Sequence, residues 1–121
     1  MDNAVKKYDI KERTFEFARR CVKLYYFLYE QGGAGRVLAP QLLRAGTSIG
    51  ANLEEADAGQ SKPDFIHKCS ISLKEARETS FWLRLFEAEK IVASNKVASL
   101  VQESNELISI LTTIIKKAQS K

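Results

Sequence analysis

Four long stretches of the chain repeat apolar residues at three- and four-residue spacing, and almost nothing interrupts them. Two prolines and six glycines are all the strong breakers in 121 residues. Apolar positions at i, i+3, i+4 and i+7 mark amphipathic helices, and no segment shows the alternation of a strand. The first stretch opens at Asp9-Ile10-Lys11-Glu12, whose acidic pair resembles a capping box, and runs to about Glu30 before Gly32-Gly33-Ala34-Gly35. The second begins between Val37 and Pro40, with the proline in the first turn, and ends near Ala58 before Gly59. The third is announced by Ser61-Lys62-Pro63-Asp64 and continues to about Glu89. The fourth runs from Ser94 or Asn95 to about Lys117. Helices of about 20 residues joined by short links must lie antiparallel to their neighbours. The expectation is an all-α, up-down-up-down four-helix bundle forming one domain over residues 1–121.

The apolar faces are wider than one bundle core needs. On the first helix Phe15, Ala18, Val22, Tyr25 and Tyr29 form one stripe, and Phe17, Cys21, Leu24 and Leu28 a second. On the third, Phe65, Cys69, Leu73, Ala76, Ser80 and Leu83 make a core stripe, leaving Ile71, Trp82, Leu85 and Phe86 to point elsewhere. That surplus, which includes the only tryptophan, predicts a subunit interface and a homo-oligomer. The competing reading is a thick core that buries these side chains within one chain.

Charge is only mildly asymmetric, 19 basic against 15 acidic residues for a net +4. The excess collects on the remaining face of the first helix, where Arg13, Arg19, Arg20 and Lys23 surround Glu16. Lys116, Lys117 and Lys121 form a second basic end. Such a strip suits phosphate contacts, with strong salt dependence, or is simply a solvated helix face. Cys21 and Cys69 fit no metal-ligand spacing and suit a reducing compartment as small core residues. With no apolar leader and no apolar run near the roughly 20 residues of a membrane span, the expected location is the cytoplasm.

Catalytic motifs fail on context. Gly46-Thr47-Ser48-Ile49-Gly50 has the form of a nucleophile elbow, but it lies in a helix and His67 is the sole histidine. The same glycines form a GxxxG suited to close helix packing. No phosphate-binding loop occurs, nor a pair of Glu-x-x-His motifs for a di-metal bundle. No enzyme activity, metal or cofactor is expected. One polar group stands out. Arg44, Ser48, Asn52 and Glu55 border the apolar stripe Leu38, Leu42, Ala45, Ile49, Leu53 and Ala56, and Glu75, Glu78 and Thr79 on the third helix offer acceptors. A carboxylate there would form a charge-assisted pair with Arg44. The arrangement suits either a network fixing helix register or a ligand site.

The stretch from Gln41 to Ala56 resembles the signature of the bacterial four-helix bundle family named for 23S ribosomal RNA intervening sequences. Ser61-Lys62-Pro63-Asp64-Phe65-Ile66-His67-Lys68, then Leu73 to Thr79 and Trp82-Leu83, resemble it too. The resemblance implies an antiparallel bundle that assembles as a ring, a pentamer in known members, with no established enzyme activity. It implies that Arg44, Ser48, Asn52, Glu55, Glu75 and Glu78 match the family's polar pattern. A related group, the accessory proteins of diversity-generating retroelements, binds nucleic acid and a reverse transcriptase. The expected function is therefore a non-enzymatic oligomer that binds RNA or DNA through a basic surface. The alternative is a protein-protein assembly scaffold without a nucleic-acid ligand.

Overall fold

The computed structural model describes residues 3–58 and 61–120, with side chains described from Ile10 onward. Four helices follow in order: α1 (Asn3–Gln31), α2 (Gly33–Asp57), α3 (Lys62–Ala88) and α4 (Ser94–Gln119). There is no strand among the described residues. The Asp9 side chain, Gly59 and Lys121, used above as a cap, a stop and a basic end, lie outside the described residues.

Two helices start earlier than their sequence signals imply. Helix α1 is already formed at Asn3, so Asp9-Ile10-Lys11-Glu12 lies inside it and is not its cap. Between α1 and α2 the glycine-rich turn shrinks to one residue, Gly32, at φ +83. Its amide donates to Leu28 O and its carbonyl accepts from the Arg36 amide, so α2 begins at once with Gly33. Pro40 consequently sits within α2 rather than in its first turn, where it withholds one backbone donor. Helix α3 starts as its sequence suggests: Ser61 is the N-cap, and its hydroxyl accepts from the Asp64 amide at 3.3 Å.

The helices stand at four corners, with close approaches between α1 and α2, α2 and α3, and α3 and α4, and a looser one between α1 and α4. Cross-helix pairs run in opposite directions. Cys21 faces Gly46 while Thr14 faces Gly50, and Arg44 meets Glu78 while Glu55 meets Lys68. The core takes one stripe from each helix, with Phe17, Leu28, Leu42, Ile49, Leu83, Phe86, Leu107 and Leu111 among its largest members. On α1 the stripe through Phe17, Cys21, Leu24 and Leu28 is buried, whereas Phe15 and Tyr29 of the other stripe face outward. Phe86, expected at a subunit contact, is fully buried in the chain's own core. It lies three residues beyond Leu83 and seven beyond Thr79, both buried, which places it on the core stripe. Ile71, Trp82 and Leu85 are half-buried.

The α1–α2 seam depends on two glycines. A Cβ built at Gly46 would lie 2.5 Å from Cys21 Sγ and 3.0 Å from Cys21 Cβ; at Gly50 it would meet Thr14 Oγ1 at 3.2 Å. Cys21 is fully buried, so its sulfur cannot swing out to solvent to make room. The Ser72 hydroxyl, also buried, donates to Ile49 O at 2.8 Å and ties α3 to α2. No buried side-chain nitrogen or oxygen among the described residues lacks a partner.

Alanine at an ordinary helical glycine stabilises by about 0.5–1 kcal/mol, whereas overpacking a core costs about 1–3 kcal/mol. Gly46→Ala is therefore expected to lower unfolding free energy in urea by about 1–2 kcal/mol. Adding Cys21→Ala removes the clashing sulfur, so the double variant should lose at least about 0.5 kcal/mol less than the two single losses combined.

Candidate functional site

The polar residues of α2 divide into two kinds. Ser48 and Asn52 bond their own helix: Ser48 Oγ donates to Arg44 O at 2.6 Å, and Asn52 Nδ2 donates to Ser48 O at 2.8 Å. Arg44 and Glu55 instead cross to α3. Arg44 donates to Glu75 Oε1 at 3.2 Å and to Glu78 Oε2, which also accepts from the Trp82 indole at 3.1 Å. About three turns further along α2, Lys68 donates to Glu55 Oε1 at 2.6 Å. The result is two separate bridges along the α2–α3 surface, the larger of them a half-exposed group centred on Glu78. The hydrogen bond from Arg44 holds the Glu78 carboxyl below its ordinary range, with the indole adding to the effect, and Glu78 in turn raises the Arg44 pKa.

The expected basic strip separates. Arg13 is not a free phosphate contact, because its guanidinium is spread across α4 carboxylates. It donates from Nε to Glu103 Oε2 at 2.9 Å and from Nη2 to Glu103 Oε1 at 2.7 Å and Glu106 Oε1 at 2.6 Å. The two-point grip on Glu103 is the strong, planar form of the arginine–carboxylate pair. The bond to Glu103 raises the Arg13 pKa, and the separate bond from Arg13 to Glu106 lowers that of Glu106. Arg13 thus fastens the looser α1–α4 seam. Arg19 pairs with Glu16 on its own helix at 3.1 Å. Arg20 donates to Ser99 Oγ on α4 at 2.6 Å, and Lys23 is exposed. Lys116 and Lys117, also exposed, lie in the last turn of α4, where positive charge complements the helix dipole.

Apolar groups at the surface are more telling than the interface residues read from the sequence. Phe15 is 66% exposed, Tyr26 62%, Val37 74% and Phe81 49%. Phe15, Tyr26 and Tyr29 fall within about 60° on the α1 wheel. Tyr25 and Tyr29 stack at 5.8 Å, and Arg36 covers the Tyr29 ring at 4.1 Å. On α3, Phe81 meets Trp82 edge-on at 5.1 Å, beside the Arg44 network. Val37 lies two turns before Arg44 on the same side of α2. Sequence reasoning missed Tyr26, Val37 and Phe81. Their only signal is a bulky apolar residue off the core stripe.

Both thiols are buried and free, and loss of solvent pushes Cys21 up to about 12 and Cys69 up to about 11, far from a reactive thiolate. Among the described residues no group of three or more His, Cys, Asp or Glu stands ready for a metal ion. No described helix is long and apolar enough to cross a membrane. A groove of about 680 Å3 opens near the lower end of the bundle, lined by Leu53, Phe65, Ile110 and Ile114 with Lys11 and Lys117 at its edge.

A carboxyl whose pKa is depressed by folding stabilises the folded state above its unfolded value, and that share is lost as pH falls through the folded value. For Glu78 the loss begins as pH drops below about 4.5, its unperturbed value. Arg44→Met should cost about 0.5 kcal/mol at neutral pH, a figure kept small by solvent screening. Measured by urea titration, the gap between variant and parent should narrow as pH falls below 4.5.

The comparisons with known proteins agree with this architecture. A family model described as 23S rRNA-intervening sequence protein matches residues 6–113. A solved structure from Bacteroides thetaiotaomicron, a protein with unknown function from the S23 ribosomal protein family, is 41% identical over 88% of this chain and 98% of that one, with a TM-score of 0.82. No curated protein matches the chain. With nearly its whole length matched, the chain belongs to the family of 23S rRNA-intervening sequence proteins.

Proposed function

We propose that the protein is a non-enzymatic assembly module of the cytoplasm, a homo-oligomeric ring that binds nucleic acid through cations displayed around it. The observation that carries the reading is the pair of unlike apolar surfaces, Phe15 with Tyr26 on α1 and Val37 with Phe81 on the α2–α3 side. Helices α1 and α3 stand at opposite corners, so the two surfaces point in different directions. Contact between unlike patches is heterologous and closes into a ring when the rotation between neighbours divides a full turn. Five subunits is the number the family resemblance implies. Arg19, Arg20 and Lys23 repeat around such a ring. Symmetry then turns a weak patch into a multivalent one.

A second reading, a scaffold whose partner is another protein, draws on the Arg44–Glu78–Trp82 network. Its half-exposed position beside Phe81 resembles the rim of an interface, where a preformed ion pair fixes register. The two readings differ in their ligand and share the assembly.

Light scattering should give the parent a mass several times that of one chain, and Phe15→Ser with Tyr26→Ser should reduce it while helical circular dichroism persists. A monomeric parent removes the ring. Fluorescence anisotropy against structured RNA, duplex DNA and single strands should show log affinity falling steeply with log salt. Absence of binding to all three at low salt leaves the protein scaffold.

A further inference from the structure

The looser α1–α4 seam opens into a cleft of about 240 Å3 lined by Arg20, Lys23, Leu24 and Phe27 of α1 and by Lys96 and Leu100 of α4. The α1 members are spaced i, i+3, i+4 and i+7, which puts them on one side of the helix, against the first turns of α4. Three of the six are cations, one is aromatic and none is acidic. Arg20 spends one donor on Ser99 Oγ, leaving the rest of its five-donor guanidinium free at the cleft edge. The Lys96 ammonium stands 5.0 Å from the Phe27 ring centroid. Arg20, Lys23 and Lys96 make no ion pair among the described residues, while the neighbouring Glu16 and Glu103 are occupied by Arg19 and Arg13. Positive charge in the cleft is therefore uncompensated, and a flat apolar ring lies beside it.

We infer that this cleft binds single-stranded nucleic acid, one base stacking on Phe27 with the flanking phosphates on Arg20, Lys23 and Lys96. The inference rests on the nucleic-acid reading above and gives it a location and a ligand form. Size favours one unit of a chain: pockets that enclose a whole small ligand span about 300–1,000 Å3, and this one is smaller. An inorganic anion would use the cations alone and leave Phe27 only as the ring beneath the Lys96 ammonium. A duplex keeps its bases stacked on one another, whereas a single strand presents a free face to an aromatic side chain. Lys96, absent from the basic strip read from α1 alone, completes the site because folding brings residue 96 beside residue 27.

The test uses the full-length protein and labelled short single-stranded RNA, single-stranded DNA of the same sequence, and their duplex counterparts, titrated by anisotropy over a range of potassium chloride. The single strands should bind tighter than the duplexes, and the RNA and DNA arms identify which sugar is preferred. Lys23→Gln with Lys96→Gln should flatten the salt slope by about 1.4, two phosphate contacts at about 0.7 each. Phe27→Leu, which keeps apolar bulk, should weaken binding at least about five-fold, and Phe27→Tyr should retain it. Parental binding with all these variants unchanged, or duplexes bound as tightly as single strands, overturns the cleft alone. No binding by the parent to any probe overturns the cleft together with the nucleic-acid reading.

Discussion

The bundle depends on how closely α1 can approach α2. Gly46 and Gly50 present bare backbone to Cys21 and Thr14, so on that line only the small side chains of α1 stand between the two helices. Close approach converts small residues into stabilising contacts, because dispersion falls off steeply once a gap opens. It also fixes which way α1 faces. With Cys21 held against Gly46, the stripe through Phe17, Leu24 and Leu28 turns inward. The parallel stripe through Phe15 and Tyr29 is left outside. The exposed aromatic surface is thus a geometrical consequence of the glycine seam.

The opposite side of α1 is governed by a different force. Its approach to α4 is loose, and the ties across it are polar: Arg13 to Glu103 and Glu106, and Arg20 to Ser99. Exposed or half-exposed ion pairs contribute little individually to stability, but a two-point arginine grip sets orientation well. A seam spaced by long polar side chains leaves openings that a seam closed by glycine cannot. One is flanked by Arg20 and Lys96, and its contents are set by the same spacing that holds the helices apart. One side of α1 is stabilised by contact and the other is left accessible.

The four helices and their core stripes were legible because periodicity is a local property, needing no knowledge of neighbours. Helix ends were less so. The turn at Gly32 occupies one residue because positive φ at Gly32 and Gly33 reverses the chain there, and Gly32-Gly33-Ala34-Gly35 does not reveal how little of it stays outside the helices. The polar stripe on α2 was readable as a stripe, but which members would cross to α3 depends on side-chain reach. Arg44 and Glu55 are long enough; Ser48 and Asn52 return to their own backbone. Arg13 was misread for the same kind of reason, since its carboxylate partners lie 90 and 93 residues away. Phe86 was misplaced by treating the third helix's core as a narrow line, although positions 79, 83 and 86 all fall inside it.

Surface groups are where sequence says least, since a lone exposed apolar residue is ordinary and a cluster of them is not. Phe81 and Trp82 on α3 and Val37 on α2 stand on neighbouring helices, a relation no single stretch of sequence carries. The Arg44 bridge to Glu75 and Glu78 holds them so. The same bridge sets a fixed ion pair beside the exposed Phe81. Under the scaffold reading proposed above, a partner would have to meet that ion pair as well as an apolar surface. Half-exposed ion pairs of this kind add little to the stability of a bundle whose core lies elsewhere.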